Sequence, residues 1–495
     1  MDYSIGPDDI DSIRQQRLLF MRERGFDFPN DFRPSISIAE INAKYGSIAK
    51  IENTSAGDEV KVAGRVVARR VMGKTSFLDI QDIDGKLQIS VSADATKKYH
   101  EFIEDLDIGD IAGFNGSVFR TRTGALTVRA AEAHVIVKSL HPLPDKFHGL
   151  NDPDIKYRHR YLDLIATSQS RDTFLARAKI LRAIREFFFD RNFVEVETPI
   201  MQALAGGASA KPFTTHHNAL DIQLYLRVAP ELYLKRLLVG GINKVFEIGR
   251  NFRNEGLSTR HNPEFTSLEF YWAYADYLDA MEVTEELIRE ICRKIHGAET
   301  ITYGSDLIDF AKPFSRFTVP ESICAFNPEI NLNMISNLDG AREVARKLAV
   351  PVQDHWGLGA VHMAIFDSHV ESKLIQPTFI CEYPTEVSPL ARRNAKNPEV
   401  TDRCELFVGG RELANGFSEL NDAVDQAKRF LDQAKQKANG DEEAMFYDEE
   451  FVTALEYGMP PAAGMGIGID RLVMLLCDRS AIRDVILFPM LRPKE

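Results

Sequence analysis

The segment KVFEIGRNFRNEGLSTRHNPEFTSLEFYWAYA, residues 244–275, concentrates side chains that handle charged ligands. Read as two strands, its period-two alternation puts Phe246, Ile248 and Phe252 on one face and Glu247, Gly249, Asn251 and Arg253 on the other. In the return strand Leu268 and Phe270 oppose Phe265, Ser267, Glu269 and Tyr271. Each strand thus has an apolar face for packing and a face of charge, aromatic rings and hydroxyls. The loop at 254–264 carries Glu255, Arg260, His261 and Asn262. Such a loop alone usually means solvated charges on an exposed hairpin, but aligned polar faces on both strands point to a binding surface.

A second hairpin is CELFVGGRELANGFSEL, residues 404–420. A two-residue turn at Gly409-Gly410 pairs Phe407 with Glu412 and Glu405 with Ala414, making Glu405 and Glu412 diagonal neighbours on one face. Such carboxylates repel unless a cation lies between them, and Mg2+ carrying ATP phosphates is a natural guest. On spacing alone, two glutamates on a wet strand edge fit equally well. The same alternation throws Asn415, Phe417 and Glu419 onto the opposite face, so a common site requires a bulge or sharp twist near Gly416. The C-terminal GMGIGIDRLVMLLCDRSAIRDVILFP reads as a glycine-rich strand, an Asp470 cap and an apolar helix with Arg471 in its first turn. A cation there suits a phosphate, because the helix dipole disfavours a bare one.

Two nucleotide signatures fail. Gly73-Lys74-Thr75 resembles the end of a P-loop, but the earlier glycine would fall at Ala68. Gly464, Gly466 and Gly468 resemble a dinucleotide fingerprint, but its third glycine would fall at Ile469.

The elements that must position these residues follow from periodicity. A short helix is predicted from about Asp8 to Arg24, then a linker with Pro29 and Pro34. Five closely spaced strands between Val60 and Val137, with turns at Asp84-Gly85 and Thr123-Gly124, predict a small barrel. A proline- and charge-rich stretch near 140–164 reads as an ordered connector. Beyond it, a long amphipathic helix runs into a strand ending at Pro199, with further helices near 280–296, 341–348 and 423–435. Strands joined by hairpins predict an antiparallel sheet flanked by helices, an α+β architecture.

A chain of 495 residues exceeds one core, so two or three domains are expected. Hydrophobic residues at 44% and charged ones at 27% are those of an ordinary globular protein. A net charge of -13 argues against indiscriminate coating of nucleic acid, DNA included, so any such contact must be local. Cys292, Cys324, Cys381, Cys404 and Cys477 form no C-x-x-C pair, arguing against a disulfide framework or a zinc site. Acidic Asp2, Asp8 and Asp9 where a signal peptide is basic, and no apolar run of membrane length, predict a cytoplasmic protein with no membrane partner.

FRNEG with RHNPEF, GMGIGIDR, and GGASAKPF with APELYLKRLLVGG resemble the class II aminoacyl-tRNA synthetases, and the set as a whole resembles the lysyl-tRNA synthetase family of bacterial type, over nearly the whole chain. The resemblance implies a helix and linker at 1–59, an anticodon-binding OB-fold at 60–140, a connector at 141–165 and a catalytic domain at 166–495. It implies a homodimer built through the long helix and the Pro199 strand. Arg253 would contact the ATP α-phosphate and the lysine carboxylate, and Phe265 would stack on adenine. Glu255, His261 and Asn262 would line the ATP site, Arg471 would hold the γ-phosphate, and Glu405 and Glu412 would hold magnesium. Gly207, Glu231, Tyr271, Asn415, Phe417 and Glu419 would line the lysine pocket, Glu419 and Tyr271 taking the side-chain ammonium and Glu231 the α-ammonium. Arg69, Phe77 and Gln88 would meet the anticodon of lysine tRNA, although a ring such as Phe77 taken alone is more often core. Two departures are Ala125, where relatives commonly have glutamate, and Lys211, where arginine is frequent. The implied reaction is lysine activation to lysyl-adenylate and transfer to the tRNA 3′ end. Aspartate and asparagine enzymes share the architecture, but Glu419 would repel or ignore their substrates. A lysine ligase acting on an elongation factor resembles the catalytic domain alone, and the barrel argues against it. A silent tRNA-binding paralogue would not be expected to keep Arg253, Glu405, Glu412 and Arg471 together.

Overall fold

A computed structural model describes residues 7–47, 59–83, 85–144 and 152–493. The expected turn residue Asp84, the 48–58 part of the linker and the 145–151 part of the connector lie outside them. The chain forms two compact units dividing between Ser168 and Gln169.

In the first unit the Pro7–Glu23 helix is followed by a second, Ile38–Tyr45, inside the stretch expected to be linker. Its signal is local: Ser37 accepts from the Glu40 N–H while the Glu40 carboxylate accepts from the Ser37 N–H, a reciprocal capping box. Ile38, Ile41 and Tyr45 are then buried against a closed five-stranded barrel. Its strands are Glu59–Met72, Thr75–Gln81, Lys86–Ser92, Ile111–Arg120 and Leu126–Val137. The first pairs with both the second and the fourth, and the third runs parallel to the fifth, which closes the ring. Alternate residues such as Val62, Leu78, Ile80, Ile89 and Phe114 fill the interior. The Tyr99–Asp105 helix, which strand periodicity did not reveal, sits between the third and fourth strands and buries Tyr99 and Phe102. Two short helices, Pro153–Arg158 and Arg160–Ala166, occupy the connector.

The second unit is built on an eight-stranded sheet. In spatial order its strands are Ser315–Thr318, Thr378–Cys381, Arg403–Val408, Arg411–Ser418, Ala462–Gly468, Glu264–Ala273, Lys244–Phe252 and Val194–Glu195. The expected antiparallel sheet is right for the six central strands, while both edge pairings are parallel. The parallel edge at 315–318 requires a crossover, supplied by Val319–Phe326, Leu338–Lys347 and Leu358–His369, which enclose a core of their own. The strand expected to end at Pro199 is only Val194–Glu195.

One face of the sheet is apolar. Phe246, Leu268, Phe270, Met465, Ile467, Cys404 and Leu406 pack there against the Ser168–Phe189, Tyr277–His296 and Ile469–Leu476 helices. Phe188 stacks on Phe246 with ring centroids 4.9 Å apart and lies 5.1 Å from Phe270, which makes it a keystone of the helix-sheet contact. Asp470, expected as a cap, lies inside the last helix, whose N-cap is Gly468. Its buried carboxylate instead accepts from Arg177 at 2.7 Å and from the Thr266 N–H at 2.7 Å, tying three elements together. No helix among the described residues is long and apolar enough to cross a membrane.

Candidate active site

The other face of the sheet is polar, and strand register decides what meets there. In the first hairpin Glu247 pairs with Glu269, Gly249 with Ser267 and Asn251 with Phe265, so the polar residues named from alternation do share a face. In the second hairpin Phe407 pairs with Glu412 as expected, but Glu405 pairs with Asn415, not Ala414. The register slips between Leu406 and Phe407 on one strand, opposite Leu413 on the other, three residues before Gly416. Leu413 and Ala414 are both buried, the mark of a bulge that lets two consecutive apolar side chains face the core. The bulge reverses the parity of the residues beyond it, placing Asn415 and Phe417 on one face with Glu405 and Glu412. Gly409 and Gly410 make the turn at φ 61° and 69°, conformations that side chains resist.

Between the hairpins runs the Ala462–Gly468 strand. Gly464 lies between Tyr271 and Phe417, Gly466 between Glu269 and Asn415, and Gly468 beside Ser267. The three alternate glycines form the floor of a trough rather than a dinucleotide loop. At Gly464 the space is already filled: a Cβ would overlap Glu419 Oε1 and the Tyr271 ring.

The cleft over this floor is lined by Gly207, Glu231, Arg253, Glu255, His261, Asn262, Phe265, Glu269, Tyr271, Glu412, Asn415, Phe417 and Arg471. Glu405 lines an adjoining recess with Glu412 and Arg471. Glu419 is behind the lining, 1% exposed, with its Oε1 against Gly464 and Tyr271.

One end of the cleft is basic. The Arg253 guanidinium lies over the Phe265 ring, 5.1 Å from its centroid, a cation–π contact. Arg471 donates to the Glu412 carbonyl at 2.7 Å and to its carboxylate at 3.1 Å, so its place at a helix start is compensated. Burial and neighbouring Arg471 hold the His261 imidazole below its usual pKa, which keeps it neutral beside the arginines. Asn262 donates to the Glu264 carbonyl at 2.6 Å, bracing the loop.

The other end is acidic. Glu231, Glu269 and Glu419 come from a helix, a central strand and the end of another strand, and each is at least nine-tenths buried. Burial, reinforced by the charge of Glu231, pushes Glu269 up to about 8. Burial raises Glu231 and Glu419 in the same way. Tyr271 donates to Glu269 at 3.0 Å. Glu419 Oε1 has no hydrogen-bond partner among the described residues.

Glu405 accepts from Arg403 at 2.6 Å and from the Tyr383 hydroxyl at 2.8 Å, and burial raises its pKa with a contribution from Glu412. These are hard oxygen donors, two carboxylates beside the basic end, which suits a divalent cation that completes its shell with phosphate oxygens.

Sequence reading passes over several participants. Alternation puts Glu269 on the polar face without indicating a role. Lys235, fully buried, follows Glu231 by one helical turn, a spacing that on a sequence looks like an exposed ion pair. Arg227 pairs with Glu247 at 2.5 Å and fills the space above Gly249. In the barrel, Phe77 and Gln88 lie half-exposed on strands that pair with each other, and Gln88 accepts from Thr127 at 2.9 Å. Arg69 is not brought beside them: it pairs with buried Leu78 and donates to the Leu106 carbonyl, while Arg70 is the register partner of Phe77. Ala125 donates its N–H to the Thr121 hydroxyl in a tight turn, and Lys211 pairs with Glu442.

A sheet whose polar face joins a basic end to an acidic end suits a ligand that carries both phosphate and ammonium groups. Residues 152–492 match the family of class II tRNA synthetases (D, K and N), residues 60–143 match the OB-fold nucleic acid binding domain, and the chain belongs to this synthetase family. It is 57% identical over 483 residues to the lysine--tRNA ligase of Idiomarina loihiensis, covering 97% of this chain and 96% of the relative. It is 54% identical over 484 residues to the heat-inducible lysine--tRNA ligase of Escherichia coli K12 and, over the same length, to the lysine--tRNA ligase of Pectobacterium carotovorum. Each of these two alignments covers 97% of this chain and 96% of the relative.

Proposed function

We propose that the cleft activates L-lysine with ATP to lysyl-adenylate and passes the lysyl group to the 3′ end of lysine tRNA. The observation that carries this reading is the bipolar cleft itself, with Arg253 and Arg471 at one end and three buried carboxylates at the other. Aspartate or asparagine would present no side-chain cation to Glu231, Glu269 and Glu419, whereas lysine presents two ammonium groups.

In the first step a lysine carboxylate oxygen attacks the α-phosphorus, the bond to the β-phosphate oxygen breaks and pyrophosphate leaves. In the second, a terminal tRNA hydroxyl attacks the acyl carbon and AMP leaves. Arg253 binds the α-phosphate and the lysine carboxylate together, bringing nucleophile and electrophile into line. Arg471, held by Glu412, takes the γ-phosphate, and Phe265 stacks on adenine. Glu255, His261 and Asn262 complete the nucleotide site. Gly207, Asn415 and Phe417 shape the lysine channel, Glu231 and Glu269 face its ammonium groups, and Glu419 holds the far one. Glu405 and Glu412 would hold Mg2+, which when bound neutralises phosphate charge. Charge neutralisation and alignment supply the catalysis, so no dedicated side-chain base is needed.

In the barrel, Phe77 and Gln88 offer a ring and an amide to unpaired bases, and Arg69 would have to release Leu106 to join them. Two copies of the chain would associate through the apolar surface left by Phe189, Val194, Ile200 and Met201, all at least two-fifths exposed beside the short edge strand. The cytoplasm is the compartment this reading implies, with the barrel and catalytic domain boundaries near residues 140 and 166.

Exchange of pyrophosphate into ATP should require lysine, and Glu419→Gln should collapse it. Exchange driven by another amino acid, or by none, would overturn the assignment.

A further inference from the structure

The Lys235 side chain is wholly enclosed. Its Nζ donates to Glu231 at 2.6 Å, contacts Glu419 Oε2, and lies 5.2 Å from the Phe417 ring centroid. An enclosed ammonium persists only where its desolvation is offset by partners of opposite charge. Here those partners are two carboxylates already assigned to the amino-acid end of the cleft. The groups facing this cluster are Glu231 on the same helix, Glu419 at a strand end, and Glu269 with Tyr271 across the trough. Arg403 acts on Glu231 from the second hairpin, and Arg227 is committed to Glu247. When all three carboxylates are ionised, the one resident ammonium leaves two negative charges for a ligand to match.

We propose that Lys235 is the positioning residue for side-chain specificity: a resident cation that holds Glu231 and Glu419 in place and sets the cleft to accept two further ammonium groups. This rests on the reading of the cleft as a lysine site. The ligand then brings an α-ammonium and a side-chain ammonium, its carboxylate going to Arg253. Glu419 shows the arrangement atom by atom, with one oxygen on Lys235 and the other, among the described residues, without a partner against Gly464 and Tyr271. A ligand lacking the second ammonium leaves that buried oxygen unmatched. Without Lys235, the crowded carboxylates would hold their protons to higher pH, and a neutral carboxyl no longer demands a cation.

The test compares Lys235→Met, which removes the charge at similar volume, with Lys235→Gln, which keeps a donor. Pyrophosphate exchange is measured with lysine and with norleucine, which has the same chain but no side-chain ammonium, from pH 6.5 to 9, alongside thermal unfolding. The lysine KM of Lys235→Met should rise roughly tenfold or more at pH 7 with kcat much less affected. Preference for lysine over norleucine should fall by about the same factor, the KM defect should shrink toward pH 9 as the carboxylates ionise, and Lys235→Gln should lie between. Folded variants with unchanged KM, preference and pH profile, or with only a lowered Tm, would overturn the proposal. Should neither variant fold, the unaltered protein is crystallised with lysine: Lys235 bridging Glu231 and Glu419 supports the proposal, and Lys235 displaced from them refutes it. Glu419→Gln separates the two levels. If it leaves lysine activation intact, the lysine-site reading fails; if it abolishes activation while the Lys235 variants behave as the unaltered chain, only the proposal fails.

Discussion

Two enclosed lysines, one in each unit, sit in opposite electrostatic situations. In the barrel unit Lys138 bonds Asp110 at 2.8 Å, Asp107 at 2.5 Å and the Asp105 carbonyl at 2.6 Å. Arg17 from the first helix takes the other Asp107 oxygen, and the backbone N–H groups of Asp107 and Ser139 complete Asp110. Two carboxylates meet two cations, and every oxygen has a donor. In the catalytic unit Lys235 faces Glu231 and Glu419, with Glu269 nearby, and one Glu419 oxygen has no donor among the described residues. The closed cluster staples a helix to a barrel. The open one leaves a buried carboxylate oxygen unmatched, and a desolvated charge without a partner is costly. Charge balance, more than burial, separates a structural cluster from a binding one.

The sharpest way to break this comparison is to unbalance the closed cluster. Lys138→Met leaves Asp107 with Arg17 alone and Asp110 with backbone donors but no cation, and should cost the barrel unit about 3–5 kcal/mol, read as an earlier urea transition, with lysine-dependent exchange retained. Glu419→Gln, in the open cluster, should do the reverse, lowering exchange by roughly a hundredfold without lowering Tm, since it removes a surplus charge. Gly464→Ala should raise the lysine KM by about tenfold or more, because the new methyl overlaps Glu419 and Tyr271.

The effect of pH follows the same logic. Glu269 titrates near 8 when folded against 4.5 for an ordinary glutamate carboxyl, so between these values the folded chain holds a proton that the unfolded chain has lost. Its contribution to stability is therefore present below 4.5 and declines as pH rises through about 8. Lysine binding favours the ionised carboxylates and runs the opposite way. Its KM should fall between pH 6.5 and 8.5, by up to about tenfold per pH unit for each proton released, and the stabilisation by lysine in a thermal melt should grow with it. A flat profile would mean the cluster is already ionised. The smallest effect expected is for Ser37→Ala, which removes a capping box that belongs to neither cluster and should cost about 1 kcal/mol, checked by denaturant titration of the barrel unit.

Much of the site was legible in the chain because period-two alternation is a local property. The first hairpin kept the register its apolar residues required, since a one-residue slip would bury Glu247 and Glu269 in the helix-packed core. The capping box at Ser37 and the adjacent apolar pair Leu413-Ala414 were equally local, and reading them would have given the second helix and the bulge. Asp470 misled because an aspartate before an apolar helix usually caps it, whereas its carboxylate here is committed to Arg177 and Thr266.

The amino-acid sequence by itself determined the polar and apolar faces of the first hairpin, the Gly409-Gly410 turn, the arginines of the basic end and the kinship to class II synthetases. Each is carried by neighbours within a strand or a short motif. Only the tertiary structure decided that Glu231, Glu269 and Glu419 converge, that the three alternate glycines floor a trough, and that Lys235 lies enclosed among the carboxylates. Those facts depend on the lateral order of strands and on exclusion of water, and dielectric environment is set by the packed whole.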